Sequence, residues 1–411
     1  MNDRKRRILN ASPDGKNVKK YKATLDRYIV SQERAKKKIL EILLRKDAGV
    51  SASDKPLGII ALFGPSGVGK TELVKTLARI WFDDPLALTL IEGQNFKERH
   101  ELSALLGSPP GYIGFDDASG DPAKRSPALL SQAKIDQPGK RAFAAKVSKL
   151  EQEVAKLEAL PINKGNALKD AFVRSEADAL RQEIAEIKSC LRDGMLSIVL
   201  FDEAEKMHPD VLQVLLSILN EGRAVLKNGE VTDFTRTVIC LTGNVAHKEL
   251  SKMACDTQLG FHASNSGKGK RDKNKEAFKV VTSALKKAFG APLLGRIGDK
   301  NIIVCQPLTY DEMVNILDAR AIRELLEKLA KHPKKFTLVI DEAAKKRIAN
   351  ECFRNPDLGA RALSNLVEEW ILRPLTFILA KAEDEGGIAV GSKVFVVLEE
   401  STQKIIFECE E

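Results

Sequence analysis

Three stretches of this sequence predict an α/β fold with a doubly wound, mainly parallel sheet. Residues 59–63 (IIALF) lead into a glycine-rich loop. Residues 196–203 (LSIVLFDE) end in two acids, and residues 236–244 (RTVICLTGN) end in Thr242 and Asn244. Short apolar runs that stop at polar or glycine-rich residues read as buried strands, and parallel strands open their C-terminal ends on one ligand crevice.

The chain has 411 residues, 43% hydrophobic and 30% charged, enough for two or three packed domains. No apolar run is long enough to span a bilayer, and no apolar stretch follows the charges of MNDRKRRILN, so neither a membrane span nor a secretory leader is expected. Six scattered cysteines without a CxxC pair argue against zinc and against a disulfide framework, and for a reducing, cytoplasmic setting. The net charge of +9 concentrates at the N-terminus and in GKGKRDKNK (267–275), which reads as a solvated loop. No aromatic residues interleave with these charges, so nucleic acid is not the expected partner.

In chain order, a basic tail is expected over 1–19, a large domain over 20–305 and a smaller one over 306–411. The first strand feeds Gly64-Pro65-Ser66-Gly67-Val68-Gly69-Lys70-Thr71, a G-x-x-x-x-G-K-[ST] pattern between strand and helix. Its glycines let backbone N–H groups face phosphate oxygens, and the helix that follows adds its positive end. Lys70 is expected to reach the β- and γ-phosphates of ATP, and the Thr71 hydroxyl to hold Mg²⁺. Next, SPPGYIGFD (108–116) sets Tyr112 and Ile113 between glycines on a loop, where an aromatic either tucks into a core or grips something.

Residues 139–194 read as a helical hairpin inserted in the large domain. Phe143, Val147, Leu150, Val154 and Leu157 step by four and three residues, as do Val173, Ala177, Leu180, Ile184, Ile187 and Leu191. The turn PINKGN (161–166) separates these heptad-like stripes. Such a hairpin either packs on the body for stability or projects as an arm that binds a partner.

The second strand then delivers Asp202, expected to support the Mg²⁺ shell, and Glu203, expected to polarise the attacking water as general base. An acidic pair at a strand end is also a common helix cap. Asn244, ending the third strand, either orients that water or holds a turn. The small domain shows helical patterns from Met313 to Leu329, Ala343 to Phe353 and Ala362 to Leu379, and closes with two strands, KVFVVLEE and QKIIFECE.

Ordered segments over most of residues 25–411 resemble the Clp unfoldases of the AAA+ class, in particular the second ATPase domain of ClpA- and ClpB-like proteins. They are YIVSQ (28–32), GPSGVGKTEL (64–73), FKERHELSALLGSPPGYIGF (96–115), VLFDEAEKMHPDVLQVLLSILNEGR (199–223), TGN (242–244), LLGRIGD (293–299) and LGARALSNLVEEWILRPL (358–375). The resemblance implies an AAA+ ATPase that threads polypeptide through a homohexameric ring at the expense of ATP. It implies that Val30 lies against adenine, that Asn244 is a first sensor and that Arg361 is a second sensor from the small domain. It makes Arg296 a finger reaching a neighbouring subunit's site, and Tyr112 and Ile113 a pore loop gripping substrate, with LKNGEV (226–231) as a weaker second loop. Leu259-Gly260-Phe261 is similar to the tripeptide by which some relatives dock on a ClpP-like peptidase, although a loop anchor accounts for it equally well.

Four departures from the family pattern stand out. One ATPase module is expected, without a separate substrate-selecting domain, and the 139–194 hairpin is additional. GRIGD places Gly298 where the family has an acid, leaving Asp299 to take over that position, and Gly243 replaces the usual Ser or Thr of the sensor triplet. A dedicated remodeller of one assembly, such as a secretion or defence machine, is the alternative to a general unfoldase.

Overall fold

The computed structural model describes residues 15–49, 54–107, 127–159, 167–192, 195–247, 249–250, 267–354, 359–381, 387–399 and 401–410. Tyr112, Ile113, the 161–166 turn and Leu259-Gly260-Phe261 lie outside the described residues. Two helices open the chain, α1 (Lys16–Tyr28) and α2 (Glu33–Asp47), so helix begins inside the segment expected as a tail. Strand β1 (Gly58–Phe63) leads to α3 (Lys70–Phe82), followed by β2 (Thr89–Glu92) and the short α4 (Leu102–Leu106). After the helical pair α5 (Gln132–Glu158) and α6 (Ala167–Arg192) come β3 (Ser197–Asp202) and α7 (Pro209–Glu221). A small ribbon, β4 (Arg223–Val225) with β5 (Val231–Asp233), precedes β6 (Thr237–Gly243). Helix α8 (Gly267–Ile297) and β7 (Ile302–Val304) complete the large domain.

Among the described residues, five strands form the central sheet in the order β2–β3–β6–β1–β7, every pair parallel. Alternation along the strands divides the core in two. Ile60, Leu62, Ile198, Leu200, Val238 and Cys240 join one apolar cluster with Leu25, Ile39 and Leu73 of α1 to α3. Ala61, Phe63, Val199, Phe201, Ile239 and Leu241 join the other, with Leu215 of α7 and Val281 of α8. Burial of each large side chain contributes about 1.5–3 kcal/mol, and helices on both faces make the sheet doubly wound, as expected.

Residues 267–275, expected as a loop, form the first turns of α8. Lys and Arg are good helix formers, and the run leads directly into the apolar stripe Ala277, Val281 and Leu285. The helix is interrupted at Gly290 (φ 75°, ψ 159°), just before Pro292.

The first helix of the hairpin begins at Gln132, ahead of the expected insertion boundary at residue 139. Helix α5 runs without a break from Gln132, about 40 Å at the usual rise per residue. Its first turns belong to the large domain: buried Asp136 accepts a hydrogen bond from Ser197 Oγ at 2.8 Å, at the start of β3. Beyond that root, Val147, Leu150 and Val154 face Ala177, Ile184 and Ile187, the stripes read from the sequence. Ion pairs tie the two arms along their length: Lys146 to Glu183 at 2.6 Å, Lys188 to Glu151 at 2.9 Å, and Arg181 to Glu158.

In the small domain, α9 (Tyr310–Ile316) passes through a π-helical turn, Leu317–Ile322, into α10 (Arg323–Leu329). Strand β8 (Thr337–Ile340) and α11 (Glu342–Arg354) follow. Helix α12 (Arg361–Val367) continues through a second π-helical turn, Glu368–Leu372, into α13 (Arg373–Ala380). The final strands, β9 (Lys393–Glu399) and β10 (Lys404–Glu410), pair antiparallel as expected, and β8 adds to β9 in parallel. Leu317, Leu363 and Leu375 extend the first apolar cluster, so the small domain shares its core with α1 to α3.

Candidate active site between the two domains

A cavity of ≈ 330 Å³ opens where the ends of β1, β3 and β6 meet the small domain. Its large-domain wall carries Ser66, Gly67, Gly69, Lys70, Thr71, Asp202, Glu203 and Asn244. The structure therefore brings the expected phosphate loop, acidic pair and first sensor together. Parallel pairing explains how: Phe63 aligns with Gly243, and Phe201 with Leu241, so the residues that follow each strand emerge side by side.

Lys70 is buried, and its Nζ donates to the carbonyls of Gly64 at 2.8 Å and Pro65 at 2.5 Å and to Asn244 Oδ1 at 2.8 Å. Burial pulls its pKa below the ordinary lysine value, opposed by nearby Glu205 and Asp202. Asn244 Nδ2 in turn donates to Glu203 Oε1 at 3.2 Å. One side-chain amide thus spans the ammonium and the carboxylate, which goes beyond holding a turn.

Glu203 has a left-handed backbone (φ 52°) and accepts at Oε2 from Lys206 Nζ at 2.8 Å and Gln94 Nε2 at 2.6 Å. These bonds, Lys206 first, hold its carboxyl below the ordinary range, against the opposing effect of burial. Asp202 accepts from the Thr242 hydroxyl. Asp202 and the Thr71 hydroxyl line the same cavity. Hard oxygen donors of this kind suit Mg²⁺, which takes one or two protein ligands and completes its shell with phosphate and water.

Gly243 has a steric reason. A Cβ there would lie 2.6 Å from Glu205 Oε2 and 2.8 Å from the buried Phe63 ring. Glu205 Oε1 accepts the Asn244 backbone N–H at 2.8 Å, so a side chain at 243 would disturb the acid that holds Asn244.

From the small domain, Arg361, Arg320, Glu324 and Ser364 complete the cavity. Arg361 is near enough to lower the pKa of both Lys70 and Glu203. It follows a seat on the phosphate loop, where the Ala360 N–H donates to Gly67 O at 3.0 Å. Gly359, at φ +52°, would bring a Cβ to 2.8 Å from the Gly67 backbone, so only glycine allows this approach.

Other expected residues stand elsewhere. Val30 is half-buried in the turn between α1 and α2, outside the cavity lining. That turn is pinned by Gln32, whose side chain donates to Gln306 O at 3.0 Å and accepts from Gln306 N at 3.3 Å. Pro65 and Val68, within the phosphate loop, are buried and do not line the cavity. Arg296 is exposed near the end of α8 and does not line this chain's cavity. The LKNGEV segment caps the β4–β5 ribbon, and its Lys227 N–H donates to Leu106 O at 2.9 Å. The second loop is thus tied to the residue two positions before the segment that carries Tyr112. Gln94 and Arg320 were not foreseen, since polar residues without a motif give no signal in the sequence.

Comparison with known proteins decides the family. Residues 55–131 and 129–300 match the family described as AAA domain (Cdc48 subfamily), and residues 308–390 match the C-terminal, D2-small domain of ClpB protein. The chain belongs to the Clp-type AAA+ family. A chaperone protein ClpB of Agrobacterium fabrum is 27% identical over 93% of this chain, and one of Wolinella succinogenes is 29% identical over 88%. An ATP-dependent Clp protease ATP-binding subunit ClpC of Staphylococcus aureus is 28% identical over 91%. This Clp-type chain spans about a third of their length: 33%, 32% and 36%. The AAA+ family binds nucleotide, and the cavity is where this member's phosphate loop lies. Among the described residues, no helix of this AAA+ chain is long and apolar enough to cross a membrane.

Proposed function

We propose that this chain is an ATP-hydrolysing module that unfolds or remodels proteins by threading polypeptide through a ring of six copies. The observation that carries the proposal is the convergence of Lys70, Thr71, Asp202, Glu203, Asn244 and Arg361 on one cavity between the two domains. Bound there, ATP supplies the phosphoanhydride and Mg²⁺ neutralises its charge. Backbone groups of Gly64 to Gly69 and the Lys70 ammonium bind the phosphates, while Thr71 and Asp202 hold the metal. The Glu203 carboxylate, kept ionised by Lys206 and Gln94, accepts the proton of the attacking water. Asn244 fixes the spacing of Lys70 and Glu203, and Arg361 reports the phosphates to the small domain.

Arg296, exposed and away from its own cavity, is assigned to a neighbouring subunit's site. Its guanidinium is always charged and suits the charge on a transferring phosphoryl group. Tyr112 and Ile113 are assigned to the substrate-gripping loop on the strength of the Gly-Tyr-Ile-Gly resemblance. A second assignment, ATPase partner of a ClpP-like peptidase, is favoured by the ClpC relatives, whose name is that of a protease subunit. It would use Leu259-Gly260-Phe261.

The deciding experiment offers the purified chain a fluorescent reporter carrying an unstructured tail, with ATP. Unfolding by the wild type, lost in Tyr112→Ala while ATP turnover persists, is the expected result. ATP turnover with no action on any generic substrate would instead mark a dedicated remodeller, and no turnover would remove the ATPase assignment. Binding of purified ClpP in ATP separates the peptidase partner from both.

A further inference from the structure

The small domain touches the phosphate-binding element in two dissimilar ways. One is the backbone seat of Ala360 on Gly67, fixed by the absence of a side chain at Gly359. The other is an ion pair at the cavity lip, where Arg320 Nη2 lies 2.9 Å from Glu72 Oε2. Glu72 directly follows Thr71 in the first turn of α3, and both Glu72 and Arg320 line the cavity.

Glu72 is also a junction. Its other oxygen lies 3.5 Å from Arg79, whose guanidinium stacks over the Tyr28 ring at 3.9 Å. One carboxylate therefore links α1, the phosphate-binding helix and the small domain. Arg320 stands on the π-helical turn Leu317–Ile322, a feature that re-aims side chains and recurs at functional positions. Its Nε lies 3.3 Å from Glu324. The Arg320 side chain is 40% exposed and the Glu72 side chain 13%, so the pair is open to water on the arginine side only and can part by movement of the small domain.

We propose that Arg320 is a positioning residue that latches the small domain against Glu72 and thereby sets how closed the nucleotide cavity is. The Ala360–Gly67 seat is the pivot, and the Arg320–Glu72 pair is the latch on the other side of the cavity. The latch favours the closed cavity, so its loss weakens nucleotide binding. The inference rests on the nucleotide-site assignment above.

Its first test needs no nucleotide. Cys190 on α6 and Cys409 on β10 are exposed, one in each domain, and spin labels on them in a Cys255→Ser chain report the interdomain distance. Arg320→Gln is expected to broaden the distance distribution, and a superimposable distribution would overturn the latch. The second test is equilibrium binding of fluorescent ADP. Arg320→Gln and Glu72→Gln are each expected to raise Kd by about threefold to fivefold, the scale of a half-exposed pair. The double variant should be no worse than either single one, and Arg320→Lys should recover part of the loss. In ATP turnover the loss should fall on KM rather than kcat. High salt should bring the variant-to-wild-type Kd ratio toward one. Additive effects in the double variant, or an unchanged Kd in Arg320→Gln, would reject the latch. Failure of the wild type to hydrolyse ATP would reject the ATPase assignment alone, because the distance measurement does not depend on turnover.

Discussion

On the large-domain side of the cavity, Lys70 is 8% exposed and tied to two carbonyls and an amide, and Glu203 is held by three side chains. On the small-domain side, Arg361 is exposed and Arg320 pairs with the largely buried Glu72 and the exposed Glu324. One wall is set by the ends of parallel strands, where register fixes every side chain within a dense core. The other is carried by helices that share an apolar core with α1 to α3 and meet the phosphate-binding element at the cavity through a backbone seat and an ion pair. Under the proposed function the contrast would separate tasks: groups preorganised for bond making on the sheet, and groups that respond to occupancy on the small domain.

The contrast is broken most severely by Glu203→Gln, which removes the proposed proton acceptor from the rigid wall. ATP turnover is expected to fall by roughly 10²–10⁴-fold, with nucleotide affinity changed little. A turnover assay beside equilibrium binding checks this, and a near-normal rate would take the base role away from Glu203. A smaller effect is expected from Gly359→Ala, which attacks the seat of the other wall. The left-handed backbone at +52° costs a non-glycine residue about 1–2 kcal/mol, and the added Cβ meets the Gly67 backbone. Affinity for nucleotide should drop about tenfold while the large domain keeps its fold; an unchanged affinity would mean that the seat does not control the site.

Lys206→Met gives the smallest and sharpest result. Lys206 contributes most to holding the Glu203 pKa below its ordinary 4.5. A depressed carboxyl adds stability above its unfolded pKa and loses it as pH falls through the folded value. The acid limb that Glu203 contributes to the wild-type turnover profile should lie below 4.5. In Lys206→Met that limb should move upward, toward neutral pH. Identical pH profiles would show that Lys206 does not set the ionisation of Glu203.

The rigid wall was largely legible in the sequence and the responsive wall was not. Strands ending in Phe63, Asp202 and Gly243 announce themselves as apolar runs closed by a motif, because burial on both faces leaves no other composition. Arg361 was placed only through its family motif. Arg320 and Gln94 were missed because an exposed charge or amide in a polar segment looks like any solvated residue until the fold sets it against Glu72 or Glu203. Strand β8 escaped because four residues, Thr337–Ile340, are too few to show a period. The apolar stripes of the arm were read correctly. The start of α5 at Gln132 was not legible, since a helix that passes from core to hairpin keeps its period across residue 139.

That unbroken passage governs how the arm can vary. The buried positions of α5 and α6 repeat every seven residues, and α5 takes its rotational phase from Asp136 and the root of the arm. Adding or removing one heptad in each helix changes the reach by about 10 Å and leaves the tip facing the same way. An increment that is not a whole number of heptads shifts the phase of the two helices and sets polar residues into the seam. The length of this projection is thus quantised, and its orientation is inherited from the sheet beneath it.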